Sequence, residues 1–164
     1  MLHKKVCMLG GFAVGKTSLV ARFVHSIFSD RYRTTIGVKI DKKLVRAGEE
    51  ELSLILWDIH GDDEFQRVRP TYLRGAHGYL LVADGTRAVT LEQARELQRL
   101  AESTVGDVPF RLLLNKADLA HEWEVNTPVL TELEQSGWQI IRTSAKSGAG
   151  VEEAFASLAS ALVG

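Results

Sequence analysis

The chain has 164 residues, 45% of them apolar and 25% charged, with a formal net charge of −1. This balance predicts one soluble globular domain over residues 1–164 with a substantial core, and leaves no basic surplus for nucleic acid or an anionic membrane surface. Its single cysteine, Cys7, permits no intrachain disulfide and is expected to be a core thiol in a reducing cytoplasm.

The N-terminal Met-Leu-His-Lys-Lys has no apolar signal region, and no apolar run approaches the roughly 20 residues that span a bilayer. An apolar run at 4–9 predicts the first strand. It leads directly into Gly10-Gly11-Phe12-Ala13-Val14-Gly15-Lys16-Thr17, a G-x-x-x-x-G-K-[ST] phosphate loop, with a helix expected over 16–26. Glycines let the backbone wrap a polyphosphate with its N–H groups, and the helix N-terminus adds partial positive charge. Lys16 is placed to reach the outer phosphates and the Thr17 hydroxyl to take one position on Mg²⁺. The following loop, 27–36, offers Phe28 to stack on a base edge and Thr35 as a second hydroxyl for the metal.

Strands at 37–46 and 51–58 are joined by Ala47-Gly48-Glu49-Glu50, which predicts a hairpin and one antiparallel edge strand. Trp57-Asp58-Ile59-His60-Gly61 closes the second of them. Asp58 can hold Mg²⁺ through water, and the Gly61 N–H can touch a terminal phosphate; sharing a shell between phosphates, waters and a few protein oxygens suits this ion. His60 is read as a surface or packing residue. A helix is expected over 65–74, a strand over 78–84, a helix over 90–104 and a strand over 109–115. There Asn115-Lys116-Ala117-Asp118 presents a carboxylate able to accept from both the ring N–H and the exocyclic amine of guanine, which adenine cannot satisfy. A helix over 127–136 and a strand over 138–143 lead to Thr143-Ser144-Ala145-Lys146, whose backbone N–H groups can meet the guanine carbonyl, and a helix over 150–162 follows. Trp123 and Trp138 read as core or boundary packing. Strands that are near-continuous apolar runs, alternating with helices, give an α/β fold: a doubly wound, six-stranded, mostly parallel sheet with helices on both faces. Ligands on such sheets bind beyond the carboxyl ends of the strands, where these loops lie.

Taken together, GGFAVGKT, Phe28, TTIGV, WDIHG, NKAD and TSAK resemble a small GTPase of the Ras superfamily, closest in texture to the Rab branch. The pieces cover essentially the whole chain in order. The resemblance implies a P-loop NTPase of the Ras-like G-domain type that binds GTP and GDP with Mg²⁺ and hydrolyses GTP to GDP and phosphate. It implies nucleotide contacts from Gly10, Ala13, Val14, Gly15, Lys16, Thr17, Ser18, Phe28, Asn115, Lys116, Asp118, Ser144, Ala145 and Lys146. Thr17, Thr35 and Asp58 are implied at the metal, and Lys16, Thr35, Gly61 and Asp62 at the reacting phosphate. Protein effectors and exchange or activating factors would read the nucleotide state through residues 27–37 and 59–75 of a monomer.

Three departures from the family stand out. Relatives usually carry glutamine after the glycine matching Gly61, where the amide orients the attacking water; this chain has Asp62. Two unit charges about 5 Å apart at an effective dielectric near 20 repel by roughly 3 kcal/mol, about two powers of ten in rate. Turned into solvent instead, Asp62 would simply fail to help. Phe12 occupies a loop position that is small in many relatives and can fill the space an activating arginine needs. Both changes predict slow turnover. The sequence also ends Ala-Leu-Val-Gly without cysteine and does not begin Met-Gly, so no lipid anchor is expected from it, which a prokaryotic Ras-like GTPase would fit. A GTP-binding scaffold without useful turnover is the alternative; the NKAD motif disfavours an ATPase or small-molecule kinase.

Overall fold

The structure is a computed structural model that describes residues 1–26, 37–60 and 68–163. Six strands form one sheet: β1 (Leu2–Gly10), β2 (Gly37–Ala47), β3 (Glu50–His60), β4 (Gly78–Asp84), β5 (Phe110–Asn115) and β6 (Ile140–Arg142). Their spatial order is β2-β3-β1-β4-β5-β6. Only the β2–β3 hairpin is antiparallel, with Gly37 opposite His60 and Ala47 opposite Glu50. The other neighbours are parallel, as in Val6 beside Gly78 and Asp84 beside Asn115. Among the described residues, four helices cover the sheet: α1 (Lys16–His25), α2 (Ala88–Val105), α3 (Thr127–Gln135) and α4 (Val151–Val163).

Side-chain alternation along the strands sorts the apolar residues into two cores. Val6, Met8, Leu80 and Val82 face α1 and α4, where Phe23 stacks on Phe155 with ring centroids 3.9 Å apart. Cys7, Leu9, Leu81 and Leu114 face α2 and α3, together with Leu91, Ala94, Leu130 and Leu133. All seven residues of β4, Gly-Tyr-Leu-Leu-Val-Ala-Asp, are therefore buried. Cys7 is fully buried and its thiol is pushed up to about 12 by desolvation, so it is an inert core thiol.

The expected helix over 65–74 is not what the described part of that stretch forms. Only a 3₁₀ turn, Pro70–Tyr72, is present there. Pro70 has no N–H and holds Arg69 extended at ψ 123°, and Gly75 at φ 78° ends the segment. A second 3₁₀ turn, Ala117–Glu122, follows β5 where no helix was expected, and β6 is shorter than the expected 138–143 strand. The remaining elements agree with the sequence expectation to within about two residues at each end.

Candidate functional site

The carboxyl ends of β1, β3, β4 and β5 converge on one rim of the sheet. At its centre, β1 gives way to the phosphate loop, where Ala13 and Gly15 take left-handed conformations at φ 58° and 101° before α1 begins at Lys16. A Cβ on Gly15 would stand 2.3 Å from Asn115 Nδ2, so this position needs glycine for space as well as for backbone conformation. Gly10 is equally confined, since a Cβ there would meet the Val82 carbonyl at 2.7 Å. No side chain caps α1, which leaves its first N–H groups facing the loop. Ser18 sits in this first turn. Val14 is buried beneath the loop, whereas Phe12 projects outward with half of its surface exposed (50%).

Below the loop lies a buried charged cluster. Lys16 is 5% exposed and Asp58 1%, with Lys16 Nζ 3.5 Å from Asp58 Oδ1. The Thr17 hydroxyl donates to Asp58 Oδ2 at 2.7 Å. His60, read as a surface or packing residue, is buried, with Nε2 3.4 Å from the same Oδ2. Burial alone would raise the Asp58 pKa; the His60 hydrogen bond, the Lys16 ammonium and the Thr17 hydroxyl outweigh it and hold the carboxyl at about 2. Burial lowers the Lys16 pKa, with Asp58 opposing. An ionised carboxylate beside a threonine hydroxyl, both hard oxygen donors, fits Mg²⁺ that completes its shell with phosphate oxygens and water. The glycine cradle, the helix N-terminus and the buried lysine fit the phosphates themselves.

The other half of the rim comes from residues about 100 positions later. Asn115 is buried: its Nδ2 donates to the Val14 carbonyl at 2.9 Å, and its Oδ1 accepts from Thr143 Oγ1 at 3.1 Å. Its amide thus ties the phosphate loop to β5 and to the loop after β6. Asp118 Oδ1 accepts from Ser144 Oγ at 2.7 Å, and the Ala117 N–H donates to the Thr143 carbonyl at 2.9 Å. Ser144 and Ala145 are buried, and Lys146 is exposed. Lys116 adopts a left-handed conformation (φ 69°) and places Nζ 2.8 Å from Asp84 Oδ2. The structure thus brings the Lys16–Thr17–Asp58 cluster and the 115–118 and 143–146 loops to one rim. Phe28, Thr35, Gly61 and Asp62 lie outside the described residues.

Several contributors fall outside the site residues named from sequence, which left Arg22 as a solvated or partner-facing residue. Arg22 on α1 donates from Nε to the Ala145 carbonyl at 2.8 Å and from Nη2 to the Lys146 carbonyl, holding that loop against the helix after the phosphate loop. Asp84, fully buried at the end of β4, accepts from the Thr86 N–H at 2.9 Å and the Thr86 hydroxyl at 2.7 Å as well as pairing with Lys116. An aspartate closing an otherwise apolar strand was the available signal for it. Arg87 donates to the Phe12 carbonyl at 2.9 Å, a contact that no local pattern announces.

A family model described as "Ras family" matches residues 5–163. The chain is 34% identical over 161 residues to the Ras-related protein Rab-1 of Theileria parva, a match covering 96% of this chain and 73% of that protein. It is 35% identical over 153 residues to the Ras-related protein YPTC6 of Chlamydomonas reinhardtii, covering 92% and 71% of the two chains. With the Ras-related protein RABA1e of Arabidopsis thaliana it shares 36% identity over 153 residues, covering 92% and 70%.

Proposed function

The chain belongs to the Ras family, and from that membership we infer that it is a Rab-like small GTPase switch, which binds GTP and GDP and hydrolyses the former. The observation that carries the site-level reading is the buried Lys16–Asp58–Thr17 cluster under the Gly15 loop, held by Asn115 to the 115–118 and 143–146 loops. In this reading the loop N–H groups and Lys16 bind the polyphosphate, and Thr17 and Asp58 hold Mg²⁺. When bound, the ion supplies neutralisation of charge on the outer phosphates. Asp118 selects guanine through its carboxylate, which Ser144 orients from one side. Lys116, pinned by Asp84, fixes the peptide from which the base loop departs. Thr35 and Gly61 complete the metal and phosphate contacts, and Phe28 covers the base.

Turnover is slow. Asp62 stands where relatives place the water-orienting glutamine, and the outward, half-exposed Phe12 crowds the approach of an arginine supplied by an activating partner. Effectors and exchange factors engage 27–37 and 59–75. On β2, Ile40 and Leu44 expose 51% and 59% of their surface, apolar area that a partner can cover. Single-turnover GTP hydrolysis, followed by phosphate release on wild type, Asp62→Gln and Phe12→Gly in parallel, tests the reading. Asp62→Gln is expected to accelerate the reaction by up to about a hundredfold. A wild-type rate equal to that of a Gln-bearing relative under matched conditions would sink the slow-turnover half. Stoichiometric GTP retention with no phosphate release would make the chain a GTP-binding scaffold, a reading that the crowding at Phe12 favours.

A further inference from the structure

We propose that Trp123 is a positioning residue for the guanine end of the site, acting with Gly85 as its seat; the inference rests on the guanine-nucleotide reading above. Trp123 lies at the end of the 3₁₀ turn that carries Asp118, and its indole folds back beneath that turn. Its Nε1–H donates to the Lys116 carbonyl at 2.9 Å, which closes residues 116–123 into a loop with Asp118 inside it. The ring lies directly on Gly85, the residue after β4. A Cβ at Gly85 would fall 2.2–2.5 Å from the ring atoms Cε2, Cδ2 and Nε1. No side chain larger than hydrogen permits this approach.

The seat is itself tied to the base site. Gly85 donates its N–H to the Asn115 carbonyl at 3.1 Å, and its own carbonyl accepts from the Glu124 and Val125 N–H groups at 3.0 and 3.1 Å. The indole also meets the Arg142 guanidinium, 5.3 Å from the ring centroid and one residue before the 143–146 loop. One half-buried side chain therefore touches Gly85, which is bonded to Asn115, Lys116, which leads into Asp118, and Arg142, which leads into Ser144. Lys116 is a non-glycine residue in the left-handed region, a conformation that persists only where its surroundings over-determine it. The indole N–H on its carbonyl, and the Asp84 carboxylate on its ammonium, supply that determination. Holding the Lys116 peptide fixes where the backbone enters Ala117 and Asp118, and so the direction of the carboxylate that reads the base.

This role makes a distinction that simple core packing does not. Inosine diphosphate lacks the exocyclic amine that Asp118 accepts from in guanosine diphosphate, so its release depends less on how well Asp118 is aimed. Trp123→Phe keeps most of the ring and removes the N–H. It is expected to speed GDP release by roughly threefold to tenfold, the span of one hydrogen bond, and IDP release by less, so the GDP-to-IDP discrimination narrows. Gly85→Ala drives the ring off its seat from the opposite side and should give the same narrowing, which protects the test against a single misfolded variant. Unchanged GDP release in both variants, or equal acceleration of GDP and IDP, overturns the proposal and leaves Trp123 as packing alone. Wild-type protein that releases GDP as fast as ADP would overturn the guanine reading beneath it.

Discussion

Asp58 gathers the Lys16 ammonium, the Thr17 hydroxyl and the His60 imidazole into one buried cluster, and the ammonium depends on its charge. Replacing it with asparagine keeps the shape and the Thr17 contact but leaves the buried Lys16 ammonium without its anion. Removing one partner of a buried pair costs about 3–5 kcal/mol because the other charge stays desolvated. The retained Thr17 bond places Asp58→Asn at the lower end of that range, and a urea midpoint on nucleotide-free protein measures it. The same variant should lose the metal's contribution to retention: chelating Mg²⁺ speeds GDP release from wild type but leaves the already fast Asp58→Asn nearly unaffected. A variant as dependent on Mg²⁺ as wild type would remove Asp58 from the metal site. His60 is instructive beside it. Nothing in the motif W-D-I-H-G distinguishes a solvent-facing imidazole from a buried one, because its environment is set by how β3 ends against the phosphate loop.

At the scale of elements, the turn between the 3₁₀ segment Pro70–Tyr72 and β4 is fastened to β1 through one histidine. His77 Nδ1 accepts the Lys5 N–H at 2.9 Å, and the His77 N–H donates to the Lys5 carbonyl at 2.8 Å, so the side chain and backbone together act as one more rung on the strand. Lys5 Nζ adds a bond to the Arg74 carbonyl at 2.8 Å and lies 3.6 Å from the Trp57 ring centroid. Burial, then Lys4 and Lys5, lower the His77 pKa below 6.5. The unfolded chain therefore binds this proton more readily than the folded one. The contribution of His77 to stability is full above about pH 6.5 and is lost as pH falls through the lower folded value. Urea midpoints of wild type and His77→Phe at pH 7.5 and 5 should show a larger acid loss in wild type; equal losses would detach this rung from the titration. How legible such elements are depends on where their cause lies. The run Gly78–Asp84 announces a strand covered on both faces, and Gly10–Thr17 announces its loop, because the causes are local: apolar continuity in one and glycine spacing in the other. The 65–74 stretch carries a helical period, yet Pro70 and Gly75 confine its described part to one turn. Trp123, Arg22 and Arg87 escaped because their roles are contacts between segments distant in sequence, which no periodicity encodes.

Across the whole molecule, the site is the place where the first and last parts of the chain are made to cooperate. The phosphate loop and Asp58 belong to the first 60 residues, and the 115–118 and 143–146 loops lie beyond residue 114. Asn115 bridges Val14 to Thr143, and Arg22 bridges α1 to the Ala145 and Lys146 carbonyls, so neither half is positioned without the other. A ligand spanning both halves must then stabilise the fold as a unit. At a free concentration about a thousandfold above its Kd it contributes roughly 4 kcal/mol. For a domain of this size each kcal/mol moves Tm by about 2–4 °C, which gives a rise of roughly 8–16 °C with GDP and Mg²⁺. Calorimetry with GDP and with ADP at equal concentration separates the contributions: ADP offers the same phosphates but no partner for Asp118, and should raise Tm by much less. Asn115→Ala strands the Val14 carbonyl and the Thr143 hydroxyl, lowering the unliganded Tm, and it should shrink the GDP increment as well because the two halves no longer present one surface. If the variant lost stability yet kept the full increment, the bridge would be a core contact without a part in binding.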